Sequence, residues 1–245
     1  YNKGFNTSEI AEELGCTNVN ISRRLHKAGY FNLRNYSKRR LPSRVNRHIV
    51  DLEFFENIDN QDKAYFLGLM FSDGSVNSNG NQFYLKLKDE DVILKFKEAL
   101  KCDYPIIYRE IPYKSYAIEV CSKKMCSDLI NLGCIPNKTK VLKFPSLRED
   151  LIRHFIRGYF DGDGCLQLQD KIYHCRFDIA CASKQFLESM RPYITAIAVT
   201  NGGLNKESKY NVWHLSYSGN QVIQVLEWLY KDANYYMQRK YVKYQ

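Results

Sequence analysis

No run in the sequence comes near ~18 uninterrupted apolar residues, so no segment reads as a membrane span. No Cys-x-x-Cys pair occurs among the eight cysteines (Cys16, Cys102, Cys121, Cys126, Cys134, Cys165, Cys175 and Cys181), which removes the usual spacing of a structural zinc site. The opening residues Tyr1–Phe5 lack the apolar stretch of a secretory signal. The expectation is a cytoplasmic protein of a bacterial or phage-infected cell, its cysteines mostly small buried hydrophobes rather than disulfide partners. A composition of 44% hydrophobic and 26% charged residues excludes a disordered tail or a collagen-like fibre. Acidic residues are in deficit: 27 Asp+Glu face 36 Lys+Arg, a net charge of +9. A basic chain points to nucleic acid, although a generic basic enzyme has the same balance. The 19 tyrosines favour nucleic acid, since aromatics among basic residues suit stacking and phosphate contact.

Within 245 residues there is room for one large domain, or a main domain and a small one. Residues 1–30 read as the small one. Ser8 is placed to cap a helix through Leu14, with Ile10, Ala11 and Leu14 inward; Thr17 caps a second from Asn18 to Ala28, with Val19, Ile21 and Leu25 inward. Gly15 breaks the first and Gly29 stops the second. The stretch Thr7–Leu25 resembles bacterial helix-turn-helix segments, which implies that Asn18, Asn20, Arg23 and Lys27 face a major groove. A plain helical hairpin is the alternative. Residues 31–57 read as a basic linker, with Arg34, Lys38, Arg39, Arg40, Arg44 and Arg47 close together and Pro42 against a helix. Arg39 and Arg40 are candidates to follow DNA phosphates.

From residue 58 the chain is written twice, over 58–144 and 145–245. Lys63-Ala64-Tyr65-Phe66-Leu67-Gly68-Leu69-Met70-Phe71-Ser72-Asp73-Gly74 is answered ninety positions later by Arg153-His154-Phe155-Ile156-Arg157-Gly158-Tyr159-Phe160-Asp161-Gly162-Asp163-Gly164. Downstream, Leu85-Lys86-Leu87 pairs with Phe177-Asp178-Ile179 at an offset of 92, and Tyr116, Ile118 and Val120 with Trp213, Leu215 and Tyr217 at 97. Each copy reads helix, two strands, helix, two strands, helix, an α+β unit, and duplication implies a monomer built like a fused dimer.

The repeated helix carries the chemistry. Ala64–Phe71 is apolar on every face, so that helix is expected to be buried all round. Gly68 costs about 1 kcal/mol of helix propensity relative to Ala, which implies that another backbone crosses there, and Gly158 is placed identically. Crossing at these glycines brings Asp73 and Asp163 together. A carboxylate at a helix C-terminus is disfavoured by the helix dipole, and two of them repel. A divalent cation reverses that sign. Hard oxygen ligands suit Mg²⁺, or another divalent cation such as Mn²⁺, and support phosphodiester hydrolysis by metal-activated water. Asp73 and Asp163, with the adjoining Gly74 and Gly164, are the expected metal positions.

These segments resemble the paired signature of the LAGLIDADG homing endonucleases, aligned at Phe66–Gly74 and Ile156–Gly164; Phe71 stands where the first signature has its earlier Asp, and Asp161 keeps it in the second. The resemblance covers about residues 55–245. It implies a duplicated αββαββα fold, a saddle of two antiparallel sheets lying along the major groove. It further implies a single chain cutting both strands of a long, asymmetric double-stranded DNA site. One basic residue per half is implied near the metal: Lys138 or Lys140 in the first half, Arg239 or Lys240 in the second, with Lys138 and Lys240 preferred. Base readout is expected from Tyr84, Lys86 and Lys88, which alternate outward from Leu85 and Leu87, and from Arg176 and Asp178 beside Phe177 and Ile179. Asn201–Lys206 reads as a hairpin with Lys206 at a basic tip. Cys165 falls near the metal positions, and His154 reads as a satisfied buried histidine. Two other functions share the pattern: a non-catalytic DNA-binding regulator on the same scaffold, and an RNA-binding intron maturase. An intein is disfavoured, since Tyr1 is no nucleophile and Tyr244-Gln245 is not His-Asn.

Overall fold

The computed structural model of the protein describes residues 7–28, 48–167 and 175–245, in two compact units, Tyr1–Arg47 and His48–Gln245. Arg39 and Arg40 lie outside the described residues.

In the first unit, α1 (Thr7–Glu13) and α2 (Asn18–Lys27) are joined by a turn in which Gly15 has φ +60°. The Thr17 hydroxyl caps α2 by accepting from the Asn20 amide at 3.4 Å. Ala11 and Ile21 are the buried side chains of this pair. Leu14 and Val19 were expected inward and are exposed, because α1 ends at Glu13 and Val19 falls in the first turn of α2. Ser8 lies inside α1 rather than before it, and its Oγ accepts from the Asn18 side chain at 2.9 Å.

The second unit runs α3 (Gln61–Ser72), β1 (Gly74–Val76), β2 (Phe83–Leu87), α4 (Glu90–Ala99), β3 (Ile106–Arg109), β4 (Ser115–Val120) and α5 (Lys123–Asn131). After one 3-10 turn (Lys138–Lys140), it repeats as α6 (Glu149–Asp163), β5 (Gly164–Gln167), β6 (Arg176–Cys181), α7 (Lys184–Ala198), β7 (Gly203–Glu207), β8 (Val212–Ser218) and α8 (Gln221–Tyr230), and closes with α9 (Gln238–Tyr244). Two four-stranded antiparallel sheets result, ordered β1-β2-β4-β3 and β5-β6-β8-β7. This is the duplicated αββαββα fold. Residues 48–57 are not linker, because Phe54 and Phe55 are buried in this core and the Asp51 amide donates to the Leu100 carbonyl.

Helix α3 starts sharply, with the Asn60 side chain accepting from the amides of Asp62 and Lys63. Every residue from Ala64 to Phe71 is buried, against α6 and the first sheet. The glycines explain the fit. A Cβ on Gly158 would stand 1.9 Å from the Tyr65 carbonyl oxygen, and one on Gly68 2.2 Å from that of Phe155. The backbones therefore touch, and no other residue type fits either place.

Pairing corrects one alignment. Gly74 opposes Leu85 and Gly164 opposes Ile179, so Leu85 corresponds to Ile179, not to Phe177. The second hairpin is longer, and a two-residue shift leaves every side chain on its expected face. In β4 and β8, Ile118 and Leu215 oppose Leu85 and Ile179, as the 97-residue offset requires. Residues 203–207 are not a hairpin tip but the edge strand β7, held by Leu204 opposite Leu215. Lys206 is exposed there, its Nζ 5.8 Å from the Trp213 ring centre.

Candidate active site

The signature helices end side by side. Asp73 is the residue after α3, its amide donating to the Leu69 carbonyl, and β1 starts at the next position. Asp163 is the last residue of α6, and β5 starts at the next position. A Cβ on Gly162 would stand 2.3 Å from Asp73 Oδ2 and 2.0 Å from Ser72 Oγ, so the first carboxylate rests on the residue beside the second. Both acids respond. Burial raises the pKa of Asp73, against the pull of the Ser72 hydroxyl, Lys240 and Lys138. Asp163 keeps an exposed edge, yet the protein crowding its carboxyl and, next, the charge of Asp73 push it up to about 6.

Each acid has a buried lysine nearby. Lys138 lies in the 3-10 turn and its ammonium donates to the Gly74 carbonyl. Lys240, on α9, donates to the carbonyls of Phe160 and Gly164, and burial lowers its pKa to about 8. Ammonium groups on the last carbonyls of a helix oppose its dipole favourably. Lys140 and Arg239 are exposed, and Arg239 pairs with Asp89 at 3.0 Å. The Gly74 and Gly164 carbonyls thus accept from ammonium groups, and a metal on the same oxygens would face that charge.

The donors fit a hard divalent cation in another way. Asp73 Oδ2 is buried with no hydrogen-bond partner among the described residues, a costly state that a cation would relieve. Among the described residues no three His, Cys, Asp or Glu side chains form a cage. Two carboxylates are enough for Mg²⁺, which keeps waters and takes substrate phosphate oxygens. Asp73 opens on a cleft of about 380 Å³ that includes Lys86, Lys88, Lys114 and Arg239, and Asp163 on a niche of about 60 Å³ with Lys138 and Tyr159.

Asp161 plays a part that sequence reasoning missed. It is fully buried and accepts from Tyr65 Oη at 2.9 Å, Tyr230 Oη at 2.7 Å and the Met237 amide at 2.8 Å. Met237 precedes α9, so Asp161 ties the segment carrying Lys240 to α6. Its only signal was the retained Asp in the second signature. Gly162 was missed too; its role depends on Asp73, which only the folded pair brings near. His154 is buried, 2.7 Å from Arg157, and Cys165 is exposed on β5.

On the outer face of the first sheet Tyr84, Lys86 and Lys88 are exposed beside buried Phe83, Leu85 and Leu87. On the second, Arg176 is exposed, but Asp178 is buried on that same face because Arg176, Ser216 and His214 close over it. Asn18, Asn20, Arg23 and Lys27 are exposed on α2.

Comparison with known proteins places this geometry. Residues 150–226 match the model of the LAGLIDADG-like domain. The sequence is 28% identical over 210 residues to the probable translation initiation factor IF-2 of Methanocaldococcus jannaschii, covering 80% of this chain and 16% of that protein. It is 26% identical over 118 residues to the DNA-directed RNA polymerase subunit Rpo1C of the same organism, covering 45% of this chain and 13% of that protein. The fold is similar to full-length DUF199/WhiA from Thermatoga maritima, with a TM-score of 0.51, 16% identity, and 79% and 62% of the two chains covered. It is also similar to the I-LtrWI LAGLIDADG homing endonuclease bound to target DNA, with a TM-score of 0.50, 12% identity, and 79% and 89% covered.

Proposed function

We propose that this chain, a LAGLIDADG-fold protein of DNA-binding endonuclease type, is a site-specific homing endonuclease. It binds a long, asymmetric duplex as a single chain, a pseudo-dimer, and hydrolyses both strands. The observation that carries this reading is that touching helices end in Asp73 and Asp163, Asp73 against the Gly162 next to Asp163 and close enough to raise its pKa, with two buried lysines held at the same helix ends. Ordinary packing gives no reason to place an acid at the C-terminal end of each of two helices that cross so closely. Because the fold is shared with DUF199/WhiA, the reading rests on the two acids rather than on the fold.

Asp73 and Asp163 would hold the divalent cation, Mg²⁺ or Mn²⁺. When bound, that cation supplies Lewis acidity and a water of lowered pKa. The chain's own groups do the rest. The paired carboxylates orient the attacking water and fix its approach. The Lys138 and Lys240 ammonium groups, held rigidly by backbone carbonyls, put positive charge beside the scissile phosphates. Lys86, Lys88 and Arg176 on the sheets, with Asn18, Asn20, Arg23 and Lys27 on α2, supply DNA contacts.

The homing role has separate support. A translation factor and a polymerase subunit have unrelated tasks, yet each shares with this chain a segment that is a small part of its length. Common function does not explain such sharing; movement of the segment as a unit does, and a site-specific double-strand cut is chemistry that drives such movement.

Incubation with Mg²⁺ and a library of long duplexes should give discrete double-strand cuts. Asp73→Asn and Asp163→Asn should each abolish the double-strand product while sparing binding. Normal cutting by both variants overturns the assignment. Binding without any cut by the unaltered chain favours a regulator.

A further inference from the structure

The second sheet carries a carboxylate on its outer face that the fold does not need. Asp178 lies in the middle strand β6, with side-chain exposure of 11%. Its Oδ1 accepts from Arg176 Nη2 at 2.9 Å and from the Ser216 hydroxyl, and its Oδ2 meets His214 Nδ1 at 2.7 Å. Arg176 Nη2 also donates to Ser216 Oγ at 3.0 Å, and His214 Nε2 lies 3.4 Å from Glu207. Burial raises the pKa of Asp178, but bonds from Ser216, His214 and Arg176 outweigh it, and the carboxyl titrates below its ordinary value.

The duplication supplies an internal control. By the pairing registers, Gln82, Tyr84, Ala117 and Glu119 of the first sheet hold the places of Arg176, Asp178, His214 and Ser216. The same backbone forms there without this network; its counterpart is a single bond from Gln82 to Glu119 at 3.2 Å. The network therefore serves something other than the sheet. Both bonds that fix Arg176 use one nitrogen, and the side chain is half exposed. A guanidinium has five N–H donors in a planar fork, so an arginine gripped at one corner keeps an edge for the O6 and N7 acceptors of guanine.

We propose that Arg176 reads a guanine in the half-site under the second sheet and that Asp178 is the positioning residue that holds it in reading geometry. This rests on the DNA-binding part of the function proposed above. A carboxylate facing DNA weakens attraction to phosphate, so a residue tuned only for affinity would not be Asp. A carboxylate that removes the rotamer freedom of a long side chain raises discrimination between bases.

The test is selection of bound sequences from a randomised duplex library in Ca²⁺, which needs no cutting. The unaltered chain should select a long site with a guanine preference under the second sheet. Arg176→Lys and Asp178→Ala should lose about tenfold in that preference at the same base pair, with positions under the first sheet unchanged. If Asp178→Ala fails to fold, Asp178→Asn replaces it, with a smaller loss at the same position. An unchanged profile in the Asp178 variants overturns the positioning role. An equal loss at every position, with a lower salt slope in Arg176→Lys, makes Arg176 a phosphate contact and also overturns it. If the unaltered chain selects no site at all, the DNA-binding reading fails first and takes this one with it.

Discussion

At the scale of single residues, some buried charges are used by a second group. Arg157 is fully buried: its Nε donates to the Tyr235 carbonyl, its Nη1 to the Leu229 carbonyl, and it lies 2.7 Å from His154 Nδ1. Beside that guanidinium His154 stays neutral as an acceptor; burial, then the charge of Arg157, lowers its pKa to about 3. Between pH 3 and the ordinary histidine pKa of about 6.5, the unfolded chain binds more protons at this site than the folded one. Stability contributed by neutral His154 is therefore complete above about 6.5 and is lost as pH falls toward 3. Urea midpoints measured from pH 6 to pH 4 should fall less steeply for His154→Gln than for the parent; equal slopes refute the assignment. Lys240→Met keeps the length of the stem and removes the ammonium. It should slow cutting by about 10²-fold or more with binding nearly intact, as loss of a preorganised charge does. A matching drop in affinity would make Lys240 a binding residue instead.

Among the elements, the pair α3 and α6 determines everything that follows. Its contact depends on two glycines whose replacement meets backbone, not movable side chains. Gly158→Ala should cost about 3 kcal/mol, at the upper end of overpacking effects, read from urea unfolding. Helix α9 is the weaker element, seven residues long and anchored by Asp161 through the Met237 amide. Asp161→Asn keeps the shape but puts an amide donor among the tyrosine hydroxyls and the Met237 amide. Amide hydrogen exchange across residues 237–244 should then speed up before the rest of the second unit opens. Uniform exchange would show that α9 has no such dependence.

For the molecule as a whole, the repeat and its two acids could be read from the sequence, because a helix with a mid-helix glycine and a terminal Asp-Gly occurs twice, ninety positions apart. The fold class followed from that duplication. Other features were hidden for physical reasons. Alternation in strands has a period of two, so a two-residue misalignment of β6 left the pattern unchanged. Lys240 and Arg239 are neighbours, and only the placement of α9 decides which one turns inward. Residues 48–57 looked like linker because Phe54 and Phe55 find their partners only in the folded core. Gly162 shows its purpose only against Asp73. The net charge of +9 is a property of this scale as well. DNA affinity should fall steeply with salt, and Lys86→Ala or Lys88→Ala should each lower the slope of log K against log salt by about one if it touches phosphate. A chain of residues 48–245 should still cut, with a shorter footprint on footprinting gels, if the first unit adds DNA contacts.

The strands β1 and β5 each begin on the residue directly after a carboxylate, with no intervening loop. Under the proposed function, reading head and blade would be one piece on each side: a duplex seated badly on either sheet would tilt that sheet's first strand and draw its acid out of line, so a wrong sequence would be penalised in the rate of the cut as well as in the grip.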